Sequence, residues 1–208
     1  MSIALVDYGA GNLTSVRKAF AYLGAGVLVP ATPGDLDGVD AVVVPGVGHF
    51  QATRSLTPEW RAAILGSLGR GRPLLGICVG MQWLYEGSTE APDCLGLGVI
   101  PGRCTRLGGG SDALKVPHVG WNTLAMPRNS LLFEGVPPEA SVYFTHSYAG
   151  PVNEATAAVT EYGERFAAAV EQGLVMGVQF HPEKSGATGL RILSNFLRRV
   201  SSLAAAAV

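Results

Sequence analysis

Short, continuously apolar runs alternate with helix-patterned segments through the first half of this chain, and no other feature restricts its fold as much. Ile3-Ala4-Leu5-Val6 reads as a strand, Asn12 to Leu23 as a helix capped by Asn12 and stopped by Gly24, and Val27-Leu28-Val29 as the next strand. Ala41-Val42-Val43-Val44, a helix through Trp60 to Leu68, Pro73 to Ile77 and a helix from Met81 to Glu86 continue the rhythm. Strands apolar on both faces need cover on both faces, so the pattern predicts an α/β fold around a parallel sheet. After about Leu97 the helices drop out. Strands at Ser141 to Phe144, Ala157 to Thr160, Phe166 to Val170 and Leu174 to Val178 are set apart by Gly and Pro, which predicts added antiparallel strands before a last amphipathic helix from Gly189 to Val200.

With 208 residues, 48% of them hydrophobic and 15% charged, the expectation is one domain over residues 1–208 with a well-buried core. A net charge of -1 leaves no basic stripe, which argues against nucleic acid as a partner. The apolar runs are too short to span a bilayer, so no membrane association is expected. Cys78, Cys94 and Cys104 are odd in number and show no C-x-x-C spacing, which suits a reducing cytoplasm and suggests neither a disulfide framework nor a metal site. Gly108-Gly109-Gly110-Ser111 reads as a flexible turn, and the Ala-rich tail after Leu203 suggests no role.

Three segments carry chemistry. Gly76-Ile77-Cys78-Val79-Gly80 stands where a strand gives way to a helix. Small neighbours let the chain turn sharply and hold Cys78 at the strand's carboxyl end, as a nucleophile elbow does, where helix-start amides favour a thiolate. A lone cysteine in an apolar run is more often a small hydrophobe. Phe180-His181-Pro182-Glu183 changes the balance: Pro182 disfavours helical angles at His181, and in extended chain His181 and Glu183 point the same way. The imidazole can then serve the thiol as base and the leaving group as acid, with the carboxylate orienting it. Pro45-Gly46-Val47-Gly48 ends another strand; the backbone amides of Val47 and Val79 are the candidates for an oxyanion hole.

Together with Gly76 to Gln82 and Phe180 to Ser185, the segment Pro45 to Gly48 resembles the class I, or triad, glutamine amidotransferases. The resemblance runs over nearly the whole chain and implies their flavodoxin-like three-layer fold, with a mostly parallel sheet between helices. Leu97 to Gly102, and above all Lys115-Val116-Pro117-His118-Val119-Gly120-Trp121-Asn122, narrow it to the glutaminase subunits of imidazole glycerol phosphate synthases. On that likeness Cys78, His181 and Glu183 form the triad that frees ammonia from glutamine through a glutamyl thioester. Gly48, Gln82, Glu90, Ser147 and Tyr148 would hold L-glutamine, with no cofactor and no metal. Asn12, Trp121 and Lys184 would contact a cyclase subunit in a heterodimer that takes the ammonia into histidine biosynthesis, and the glycines around Val47 would let its amide turn in once that partner is loaded. Val79 and Trp83 stand where the family more often has leucine and a smaller aliphatic. Rival readings are another triad glutaminase, such as one serving pyridoxal phosphate synthase, a non-catalytic regulatory subunit, and a general hydrolase.

Overall fold

The structure is a computed structural model that describes residues 1–110, 114–126 and 128–206. In chain order its elements are β1 (Ser2–Leu5), α1 (Leu13–Tyr22), β2 (Gly26–Leu28), β3 (Ala41–Gly46), α2 (Pro58–Gly69), β4 (Leu74–Cys78), α3 (Val79–Leu84), β5 (Gly87–Ser88), β6 (Arg103–Arg106) and β7 (His118–Thr123). There follow β8 (Ser141–His146), β9 (Tyr148–Ala149), β10 (Thr156–Tyr162), β11 (Glu164–Gln172), β12 (Val175–Val178) and α4 (Gly186–Ala206).

Seven strands form the main sheet in the order β10-β11-β12-β4-β3-β1-β2. From β12 to β2 every neighbour is parallel, while β10, β11 and β12 pair antiparallel. The expected switch from a parallel to an antiparallel rhythm is therefore present within one sheet. β3 and β4 are buried along their whole lengths, as strands covered on both faces must be. Two helix groups supply the cover. α1 buries Val16, Ala19 and Phe20, and α4 buries Ile192, Leu193, Phe196, Leu197 and Val200; Phe20 meets Phe196 edge-on at 6.3 Å between ring centroids. α2 and α3 form the other group, with Arg61 of α2 lying 5.7 Å from the Trp83 ring of α3.

Several expectations shift. α3 starts at Val79, directly on Cys78, and ends at Leu84, because Tyr85 is extended and its carbonyl receives the Gly98 amide. β5, β6, β7 and β9 were not foreseen; they form small sheets beside the main one, β7 pairing with β8. α4 continues to Ala206, through most of the Ala-rich tail, as alanine's high helix propensity allows. Leu107–Gly110 winds into a short helical turn, and Ser111 of the anticipated turn lies outside the described residues.

What matters for function is one edge. Parallel strands bring their carboxyl ends together: Gly46 is the register partner of Cys78, and Val178 that of Ile77. The residues just past β3, β4 and β12 must therefore converge, which is where an open α/β sheet places its ligand.

Candidate active site

Cys78 is the last residue of β4 and the cap of α3, with φ 55 and ψ -112. A side-chain-bearing residue held in the left-handed region costs on the order of 1–3 kcal/mol and persists only where its surroundings enforce it. The enforcement comes from glycines. A Cβ at Gly80 would stand 1.8 Å from the Val44 carbonyl oxygen, and one at Gly76 2.6 Å from the Gly80 oxygen. Without side chains at those positions α3 can lie directly on β3 and β4, and the cysteine is forced into the bend.

His181 leaves β12 through Gln179 and Phe180. Its amide donates to the Tyr143 carbonyl at 2.9 Å; the Ser185 hydroxyl donates to the His181 carbonyl at 2.6 Å and accepts the Tyr143 amide at 3.0 Å, so β8 and the histidine segment are pinned together. Nδ1 faces Glu183 Oε1 at 2.9 Å, with both side chains sealed from solvent. The pairing arises differently from the extended alternation expected. His181 is extended, at φ -99 and ψ 96, but Pro182–Lys184 form a tight helical turn that folds Glu183 back onto the ring. Proline at the first position of such a turn has its φ already set and no amide to waste.

Burial alone would push the His181 proton off. Hydrogen bonding to Cys78 and Glu183, and their negative charges, overcome it and raise the imidazole to about 10. Nε2 has no aligned hydrogen-bond partner, and neither has Glu183 Oε2. A buried carboxylate with one oxygen unpaired leans all the more on a charged imidazole. The arrangement suits an imidazolium beside a thiolate, with Nε2 free to pass a proton.

Cys78 opens on a cavity of about 200 Å³ that Gly48, Gln82, Glu90, Ser147 and Tyr148 also line. All five residues expected to hold a substrate thus border one space. Glu90 Oε2 accepts the Phe50 amide at 2.8 Å, which holds the carboxylate against the Gly48 loop. Val79 opens α3, where the first amides have no acceptor within the helix. The Val47 N–H donates to the Ala10 carbonyl at 3.2 Å, so in this conformation it gives an oxyanion nothing.

Of the residues expected at a partner contact, Trp121 is 60% exposed and meets the Tyr143 ring edge-on, and Lys184 lies 5.7 Å from the centroid of the same ring. Asn12 is exposed and caps α1, accepting the Ser15 amide at 3.4 Å; one cleft brings Ser15 and Lys18 of α1 beside Pro182 and Glu183. The cavity also has neighbours that the sequence did not point to. Gln179 is fully buried with its Nε2 3.7 Å from Cys78 Sγ, and the Thr145 carbonyl is 3.9 Å from the same sulfur. The Tyr8 hydroxyl is buried without a partner, and its ionisation is pushed up by burial and by Cys78. Only the position of Gln179, two residues before His181 at a strand end, could have flagged it.

A family model for class I glutamine amidotransferases matches residues 4–200. The chain is 45% identical over 196 residues to imidazole glycerol phosphate synthase subunit HisH of Methanothermobacter thermautotrophicus, covering 94% of this chain and 97% of that protein. It is 48% identical over 205 residues to the subunit of the same name from Halobacterium salinarum, covering 94% and 92%. Among solved structures, a glutamine amidotransferase superposes with a TM-score of 0.73 at 21% identity, over 95% of this chain and 98% of that one, a likeness of fold.

Proposed function

Because the chain belongs to the class I glutamine amidotransferases, we propose that it is the glutaminase subunit of an imidazole glycerol phosphate synthase, acting as one domain and supplying ammonia to a cyclase subunit for histidine biosynthesis. Relatives that share about half its residues over nearly their full length carry that name. The observation that carries the chemistry is the buried His181, paired to Glu183 and raised in proton affinity by the Cys78 beside it, at the wall of a cavity with room for an amino acid.

The Cys78 thiolate attacks the side-chain carbonyl carbon of glutamine, forming a carbon–sulfur bond. Negative charge collects on the oxygen, toward the Val79 amide. The carbon–nitrogen bond breaks as the His181 imidazolium gives its proton to the leaving nitrogen, which departs as ammonia. Water, deprotonated by the now neutral His181, attacks the glutamyl thioester, and glutamate leaves as the thiolate reforms. Glu183 holds the ring and its charge throughout. Glu90 is the carboxylate suited to the substrate's α-ammonium, and Gly48, Gln82, Ser147 and Tyr148 complete the walls.

Trp121 and Lys184, gathered around Tyr143, with Asn12 at the head of α1, supply the docking face for the cyclase. An exposed tryptophan beside a tyrosine is the usual make-up of an interface anchor. Among the described residues no helix is long and apolar enough to cross a membrane, and all three cysteines are free, in keeping with work in a reducing cytoplasm.

The test is co-purification with the candidate cyclase and measurement of glutamate release with and without the cyclase's ligand. Cys78→Ala is expected to abolish glutamine-dependent synthesis in the complex and to leave synthesis from added ammonium salts intact. Loss of both activities would make Cys78 a structural residue and overturn the reading.

A further inference from the structure

Gln179 is sealed in the protein beside the nucleophile, and its two ends have different neighbours. Oε1 accepts a proton from Gln82 Nε2 at 3.0 Å, and Nε2 points at Cys78 Sγ from 3.7 Å. Side-chain amides are easily drawn the wrong way round, so the orientation needs an independent anchor. The Tyr148 carbonyl provides one. Gln82 Nε2 lies 2.8 Å from that oxygen, which can only accept, so the Gln82 NH2 must face it. The second proton of the same NH2 then faces Gln179 and demands an acceptor there. A single amide orientation remains for Gln179, with its N–H directed at the sulfur.

The anchor is itself held. His146 Nδ1 lies 3.0 Å from the same Tyr148 oxygen and must therefore carry a proton, and His146 Nε2 in turn receives His118 Nδ1 at 3.0 Å. Asn122 Nδ2, 3.3 Å from His118 Nε2, closes the line. Every donor from Asn122 to Tyr148 points one way, so that carbonyl is fixed as an acceptor.

We infer that Gln179 is a further catalytic residue of the glutaminase reaction proposed above, on which the inference rests: its amide N–H donates to the Cys78 sulfur as thiolate, and Gln82 is the positioning residue that holds it in that orientation. The sulfur lies between two partners of opposite sense. The Thr145 carbonyl, 3.9 Å away, can take the proton of a thiol; the Gln179 N–H can only be accepted by sulfur, and an anion accepts it far better. The donor therefore acts twice in the cycle, where the thiolate is poised to attack and where the thioester expels it. Gln82, in this reading, works at the nucleophile even though it also lines the glutamine cavity.

The test is the pH dependence of Cys78 alkylation by iodoacetamide in the full-length chain, with the adduct located by mass spectrometry so that Cys94 and Cys104 do not contribute. The wild-type midpoint is the reference. Gln179→Met removes the donor at similar volume and should raise the midpoint by about one pH unit. Gln179→Glu, which turns a carboxylate toward the sulfur, should raise it further. Gln82→Met leaves Gln179 in place but free to rotate and should shift the midpoint upward by less; it also carries the test should the Gln179 variants fail to fold, as judged by circular dichroism. A merely structural role for Gln179 would change melting temperature and not this midpoint. A wild-type Cys78 that iodoacetamide leaves unmodified across the whole pH range overturns the glutaminase reading and the inference together. A wild-type midpoint that the variants leave in place overturns the inference alone.

Discussion

Burial acts on three histidines of this chain alike, and their partners decide the outcome. His118 and His146 face each other and neutral partners, so burial lowers them to about 4 and about 3. His181 is just as enclosed, yet the hydrogen bonds and charges of Cys78 and Glu183 reverse the effect and raise it to about 10. This predicts the outcome for Glu183→Gln. The amide oxygen can still accept the Nδ1 proton, so the ring keeps its orientation but loses a negative neighbour, and its pKa falls. Imidazolium, which in the proposed mechanism protonates the leaving nitrogen, is then lost at lower pH. Profiles of glutamate release should show the alkaline limb moving down by about one to two pH units, with the acid limb little changed; an unmoved alkaline limb would count against the charge pairing. The His181–Glu183 partnership was legible in the sequence through Pro182 and the two-residue spacing. Its geometry was not, since the tight turn that closes it depends on Ser185 and Tyr143, and Tyr143 is remote in the sequence. Gln179 stayed hidden for a related reason: what makes it matter is an orientation fixed by Tyr148.

At the scale of elements, the elbow is a packing solution before it is a chemical one. Gly80 lets α3 lie on the backbone of β3, so Gly80→Ala should force the helix off the strand. With 1.8 Å between an added Cβ and the Val44 carbonyl oxygen, no small adjustment relieves the contact. We expect a loss of at least about 3 kcal/mol in chemical denaturation, or no soluble protein. The elbow could be read from sequence because its glycines are local. The β7–β8 hairpin could not, because β7 alternates buried and exposed residues only in company with β8, and Gly120 and Pro117 interrupt the usual strand signature. Its histidine pair gives it a pH sense. Both folded values lie below the unfolded value of about 6.5, so as pH falls through that value the unfolded chain binds protons that the folded chain refuses. Stability is therefore complete above about pH 6.5, declines toward about pH 4, and stops declining once the folded pair also protonates. Between about pH 7 and pH 5 the cost should be on the order of 2 kcal/mol for each histidine, about 4 kcal/mol for the pair. Denaturation midpoints at the two pH values, compared with a His118→Leu/His146→Leu double variant that should lack this component, would check it.

For the whole molecule, the sheet's carboxyl edge collects every part of the site except one oriented amide, that of Val47. The mixed sheet and the meeting of β3, β4 and β12 at one edge follow from apolar runs visible in the sequence, whereas the direction of a single peptide does not. Val47 donates to Ala10, and its φ is not positive, since among the described residues only Cys78 and Glu139 carry positive φ without being glycine. Turning the peptide between Gly46 and Val47 over, so that its N–H faces the cavity, rotates ψ of Gly46 and φ of Val47 by half a turn. Gly46 bears that freely, but Val47 is driven toward positive φ, which costs a β-branched residue about 1–2 kcal/mol or more. On the proposed function, the side chain at position 47 weights the chain toward the outward-facing arrangement, and a docked, loaded cyclase would supply the difference. Val47→Gly removes that weight while keeping the amide. Glutamate release by the isolated chain should rise by about tenfold, and the stimulation by cyclase and its ligand should shrink by a similar factor, because the fully stimulated rate has the same donor in the same place. Steady-state assays of the two forms, with and without the partner, decide the matter. If Val47→Gly instead lowers both rates equally, the peptide at position 47 does not gate the reaction, and control by the partner has to act through another part of the site.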